Sequence, residues 1–124
     1  MIIGIGTDIV DIARIGQTLQ RQGTRFVERV LCADEILVYH QRADSLAYLA
    51  KRFAAKEAAS KAFGTGIGEL SWQDFSVLND ARGAPVLRLT GRAAQLLQER
   101  GGRQALLSLS DEREFAIAFV VLTA

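Results

Sequence analysis

Arg52-Phe53-Ala54-Ala55-Lys56-Glu57-Ala58-Ala59-Ser60-Lys61-Ala62-Phe63-Gly64 is the stretch from which the fold is read. It belongs to a helical pattern predicted to start near Asp44 and to stop at Gly64. Leu46, Leu49, Ala50 and Phe53 recur at spacings of three and four, the core-facing stripe of an amphipathic helix. The same period puts Glu57 on that stripe, where an ionised carboxylate needs a partner. Two partners are open to it. Lys61, one turn on, could form an ordinary ion pair at a half-buried edge. Alternatively the charge is there to bind something.

Outward from this helix, the chain reads as one domain over residues 1–124. It is 49% hydrophobic and 23% charged with a single proline, the composition of a folded globule. Apolar content this high is expected to bury some surface by oligomerisation. A net charge of +1 excludes a strongly basic nucleic-acid binder. The one cysteine, Cys32, cannot form an internal disulfide and reads as a core filler. The N-terminus lacks a basic secretory n-region, and no apolar run approaches the length of a membrane span, so a cytoplasmic location is expected, with no membrane and no nucleic-acid partner.

Ile2 to Asp8 reads as a strand, with Gly4, Gly6 and Asp8 on a shallow face open to a helix or a ligand. Its Gly-x-Gly is not a dinucleotide fingerprint, because the third glycine is missing. Asp11 can cap a first helix carrying Ile12, Ile15 and Leu19 inward and ending at Gly23. Short helices follow over Arg25 to Leu31 and from Asp34-Glu35 to about Arg42. Arg14, Arg21, Arg25 and Arg29 face only Glu28, a local charge of +3: either a solvated face or a docking surface for an acidic partner.

Beyond the long helix lies Gly64-Thr65-Gly66-Ile67-Gly68. Gly64 suits the left-handed helix end, and the extra glycines could let backbone N–H groups approach a phosphate. The loop is not a P-loop, since it follows a helix instead of opening one. Phe75 to Asn79 and Pro85 to Leu89 read as a hairpin, Thr90 as the cap of a helix to Arg100, and Ala105 to Ser110 with Phe115 to Leu122 as a last strand pair. The last strand is apolar on both faces and is expected to be central or at a subunit interface. The order β-ααα-ββ-α-ββ gives an α+β class, an antiparallel sheet packed against a long central helix with additional short helices.

Gly6-Thr7-Asp8-Ile9-Val10 combined with the Arg52–Gly66 run resembles the bacterial holo-[acyl-carrier-protein] synthases, the small 4′-phosphopantetheinyl transferases of fatty-acid synthesis. The likeness spans essentially the whole chain, and the two motifs together are far more specific than either alone. The resemblance implies the 4′-phosphopantetheinyl transferase-like fold. It implies transfer of phosphopantetheine from coenzyme A to a serine of apo acyl carrier protein, with release of adenosine 3′,5′-bisphosphate. It further implies Mg²⁺ held by Asp8 and Glu57, Lys61 beside the scissile phosphate, and a homotrimer with a site in each cleft between subunits. Asp8, Glu57 and Lys61 are thus the expected catalytic set. Lys56, Lys61, Gly64, Thr65, Gly66, Arg82 and Pro85 are expected at coenzyme A, and Arg14, Arg21 and Arg25 at the carrier protein. Two departures from the family pattern stand out. Asp111 occupies a place where many relatives carry histidine, which puts a nucleotide contact there in doubt. Arg82-Gly83-Ala84-Pro85 stands where Gly-Lys-Pro is common, with Arg82 as the substitute cation.

These residues suit the chemistry. Phosphoryl-type transfer asks for positioning and charge neutralisation, and Mg²⁺ takes one or two carboxylates plus waters and phosphates. A cation would also resolve the conflict at Glu57. The carrier serine needs a base, Glu57 or, by preference, a water activated beside it. Two other classes compete: a non-catalytic module binding coenzyme A or a carrier protein, and a purely structural trimer.

Overall fold

The computed structural model of the protein describes residues 1–124. In chain order the elements are β1 (Ile2–Asp11), α1 (Ile12–Gln22), α2 (Thr24–Val30), α3 (Ala33–Gln41), α4 (Ser45–Ala62), a short 3₁₀ turn (Trp72–Asp74), β2 (Phe75–Asn79), β3 (Pro85–Leu89), α5 (Gly91–Glu99), β4 (Gln104–Glu112) and β5 (Phe115–Thr123). The α+β class holds. Four α-helices precede the hairpin, each of which the sequence reading placed, although its condensed order wrote only three. The strands form two antiparallel sheets, β1-β5-β4 and β2-β3, where a single sheet was expected.

β1 runs three residues past Asp8 and hands over to α1 at Asp11, whose carboxylate accepts the Ala13 N–H at 2.9 Å. That is an N-cap, and it satisfies one of the orphan donors of the first turn. β5 lies in the centre of its sheet, one of the two places expected for a strand with two apolar faces. Ala116, Ala118, Val120 and Leu122 point into the core. Phe115, Ile117 and Phe119 point outward beside Ile5 and Ile9 of β1 and Leu106 of β4, all exposed.

α4 is buried on more of its circumference than a single stripe predicts. Its first half, with Tyr48, Leu49 and Ala50, packs into a cluster with Ile15, Phe26 and Val30 of α1 and α2. Its second half, with Ala54, Ala55, Ala58, Ala59 and Ala62, packs on Ala118 and Val120 of β5 and on Phe75 and Val77 of β2. The alanines matter for distance. A Cβ at Gly6 would overlap the carbonyl oxygen of Ala58, and one at Gly4 that of Ala62. The glycine face of β1 therefore serves the helix, not a ligand. Backbone lies on backbone, which brings the start of Asp8's side chain close to α4. No helix is long and apolar enough to cross a membrane.

Candidate active site

Asp8 and Glu57 line one cleft of about 380 Å³, together with Ile9, Val10, Asp11, Arg14, Ile15, Thr18 and Phe53. β1 supplies Asp8, α1 supplies Arg14, and α4 supplies Phe53 and Glu57. Lys61 reaches the same place from the next turn of α4. Its ammonium donates to Asp8 Oδ1 at 2.9 Å and to the Thr7 carbonyl at 3.2 Å. The ordinary ion pair expected between Glu57 and Lys61 is thus replaced by a pair across elements, because the short glycine face of β1 puts Asp8 within the lysine's reach. Glu57 is half-buried. Its carboxyl is pushed above the usual range first by desolvation and then by the charge of Asp8, with Lys61 opposing.

Two carboxylates that repel each other across an open cleft, with one lysine bonded to Asp8, are a donor set that fits Mg²⁺. A hard cation takes one or two carboxylates and fills its octahedron with waters and substrate phosphate. No group of three or more His, Cys, Asp or Glu side chains is placed for an all-protein metal cage.

The remaining expected residues divide. Arg14 shares the cleft. Arg21 and Arg25 lie further along α1 and α2, where they join Arg29 and Gln22 around a second, basic hollow. Asp111 forms an ion pair with Lys51 at 3.4 Å, so its charge is held within the chain. Lys56 is a correction. It is fully buried, donates to the Val30 carbonyl at 2.5 Å and to Glu35 Oε1 at 2.7 Å, and presents nothing to a nucleotide. On the helix it is the neighbour of Glu57, about 100° round, which turns it to the opposite flank.

The glycine loop is a second correction. Gly64 and Gly66 have the left-handed backbone expected, at φ of 76° and 71°. Yet the N–H of Gly64 binds the Lys61 carbonyl, and those of Thr65 and Gly66 bind the Ser60 carbonyl. The extra glycines close the end of α4 onto itself. The N–H groups of Gly64, Thr65 and Gly66 are therefore already engaged and not free for a phosphate.

Arg82 and Pro85 stand apart from the Asp8 cleft, on the β2-β3 hairpin. Pro85 opens β3 opposite Asn79. Asn79 donates to the Gly83 carbonyl at 2.9 Å and accepts from Arg52 at 2.9 Å. Arg52 is a functional candidate that pattern reading missed. It is 5% exposed and stacks at 4.1 Å over the Tyr48 ring. Its Nε has no partner, and a cavity of about 390 Å³ opens beside it between α3, α4 and β2. Its place one turn before Lys56 on the long helix was the available signal.

The family model for the 4′-phosphopantetheinyl transferase superfamily matches residues 4–120. The holo-[acyl-carrier-protein] synthase of Photobacterium profundum is 51% identical over 122 residues, covering 98% of this chain and 97% of the relative. The crystal structure of that enzyme from Neisseria meningitidis superposes with a TM-score of 0.93 at 44% identity over the full length of both chains. The Bacillus anthracis structure, a complex with CoA (3′,5′-ADP), gives 0.83 at 41% identity, covering 100% of this chain and 99% of the other. With Asp8, Glu57 and Lys61 gathered on one cleft of this fold, the chain belongs to the holo-[acyl-carrier-protein] synthase family of 4′-phosphopantetheinyl transferases.

Proposed function

We propose that the chain transfers the 4′-phosphopantetheine arm of coenzyme A to a serine of apo acyl carrier protein, in the cytoplasm, for fatty-acid synthesis, and that Asp8, Glu57 and Lys61 carry the reaction. The observation behind the residue assignment is the shared cleft: two repelling carboxylates and one lysine converge from β1 and α4. Asp8 and Glu57 would hold Mg²⁺, which supplies Lewis-acid polarisation of the pyrophosphate when bound. The serine oxygen attacks the phosphorus that bears pantetheine. The bond from that phosphorus to the bridging oxygen breaks, and adenosine 3′,5′-bisphosphate leaves with the electron pair. Lys61, half-exposed beside Asp8, would meet the charge that develops on the bisphosphate. The serine proton passes to a water held at Glu57.

Arg52 supports the nucleotide side of the reading. A buried guanidinium with an unfilled donor, facing a cavity, is costly unless an anion completes it. Asn79 couples it to the hairpin, where exposed Arg82 adds a second cation and Pro85 fixes the strand start. The carrier is an acidic protein in this reading and docks on Arg14, Arg21 and Arg25, with Arg29 beside them. A homotrimer is supported by the outward face of the β1-β5-β4 sheet. Ile5 with Leu106, Phe119 and Ile9 with Ile117 lie in adjacent registers there and remain exposed in the single chain.

The test mixes purified protein with apo acyl carrier protein, coenzyme A and Mg²⁺ and follows the carrier by mass spectrometry. The expected result is a phosphopantetheine mass increment that chelator abolishes. Coenzyme A binding indifferent to chelator, with no mass increment, would favour a binding module instead.

A further inference from the structure

Glu35 and Lys56 are 1% and 0% exposed, and no step of the proposed reaction uses either. Their ion pair is the meeting point of four elements. Glu35 Oε1 accepts from Lys56 Nζ at 2.7 Å and from the Cys32 N–H at 2.7 Å, at the start of α3. Glu35 Oε2 accepts the Val77 N–H of β2 at 2.8 Å. Lys56 Nζ also donates to the Val30 carbonyl at the end of α2. The carboxylate and the ammonium are thus hydrogen-bonded to α2, α3, β2 and α4 together.

A buried ion pair is weak evidence of a stabilising role, since desolvation of both charges offsets their attraction and an apolar pair often does as well. Such a pair does supply direction. Where α4 lies on β1, Ala58 and Ala62 meet Gly6 and Gly4 backbone to backbone, a smooth contact that does little by itself to fix the rotation of the helix, while the larger side chains Tyr48, Leu49 and Phe53 pack on its first half. Glu57 is the residue next to Lys56. A roll of about 20° moves an atom at side-chain radius by about 2 Å. Displacements of about 1 Å can cost about a hundredfold in rate.

Resting on the reading of Asp8 and Glu57 as a cation-binding pair, we propose that Glu35 and Lys56 are positioning residues. Their buried bonds set the rotation of α4, and through it the aim of Glu57 at Asp8. Lys56 fixes the helix on one flank, the Gly6–Ala58 backbone approach fixes it on another, and Glu57 is presented between them.

The experiment uses Mn²⁺ alone as the probe, followed by electron paramagnetic resonance on nucleotide-free protein, with wild type and Asp8→Ala as references. In the apolar double variant Glu35→Leu/Lys56→Met the melting temperature is expected to stay near wild type. Mn²⁺ affinity should fall about tenfold or more and kcat should fall, while KM for coenzyme A is unchanged. A folded double variant that binds Mn²⁺ like wild type overturns the positioning role. If wild type itself binds no more Mn²⁺ than Asp8→Ala, the cation pair is wrong and the inference falls with it, a result distinct from the first. If the double variant does not fold, Glu35→Gln keeps the volume and removes one acceptor, and the same loss of Mn²⁺ affinity is expected. Failure of both variants to fold would assign the pair to folding alone and overturn the proposal.

Discussion

Lys61 Nζ lies 2.9 Å from Asp8 Oδ1, an ion pair between the end of α4 and the middle of β1. Lys61 is half-exposed and Asp8 is largely covered, so the lysine neutralises a carboxylate that a divalent cation would otherwise claim. Lys61 would compete with a divalent cation for the same oxygen, and its ammonium, displaced from Asp8, would be free for the phosphates.

Substituting Lys61 separates these two roles. Lys61→Ala is expected to lower kcat about a hundredfold, the scale of losing one charge-stabilising donor at a reacting phosphate. It should also tighten divalent binding to the nucleotide-free protein by about two- to fivefold, since an exposed pair of this kind contributes little. Single-turnover rates and calorimetry with Mg²⁺ read the two effects. Weaker divalent binding in Lys61→Ala would show that the lysine does not shield Asp8.

Asp8→Ala and Glu57→Ala should each reduce turnover by about a hundredfold or more, as expected for dismantling a metal-based charge clamp. Steady-state assays over a range of Mg²⁺ concentrations check this. Near wild-type kcat in both variants would remove the carboxylates from the reaction.

The raised carboxyl of Glu57 gives a pH signature. With chelator present, the native state holds its Glu57 proton to higher pH than the unfolded chain does. Between the ordinary glutamate value and the raised native value, the native state therefore binds more protons, and this group's contribution to stability increases as pH falls. Divalent affinity should move the opposite way and decline as Glu57 protonates. Melting curves against pH for wild type and Glu57→Gln test the first part. Parallel curves for the two proteins would contradict it.

Carrier docking through exposed arginines should weaken with salt, because charges on an open surface are screened within about 10 Å at 0.1 M. KM for the carrier is expected to rise with ionic strength while KM for coenzyme A changes less. Arg21→Glu with Arg25→Glu should raise the carrier KM about tenfold or more by like-charge repulsion. A carrier KM flat in salt would remove these arginines from the interface.

The outward face of the sheet predicts the oligomer. Phe119→Asp adds a charge at the centre of its apolar patch. The substitution should leave the monomer folded, because Phe119 points away from the core, and should convert a trimer to monomers in light scattering. A wild type that is already monomeric at micromolar concentration would exclude the trimer.

The sequence by itself determined the long helix, its glycine end, the Asp11 cap, the α+β class and the central place of β5. Each of these rests on local rules of period, capping and turn chemistry. It also marked Glu57, because a carboxylate on an apolar stripe violates those same rules, whereas Asp8 and Lys61 were singled out by the resemblance to the synthase family. Only the tertiary structure decided which charge meets which. Lys61 bonds across to β1 and not to its helical neighbour Glu57. Lys56 turns inward to Glu35, the amide groups of Gly64, Thr65 and Gly66 bind their own helix, and Arg52 faces a cavity with a donor unfilled. Period fixes the face of a helix on which a residue lies, but not what is packed against that face. Here that was set by two glycines in β1 and a run of alanines in α4, which let two backbones approach closely enough to bring residues from opposite ends of the chain onto one cleft.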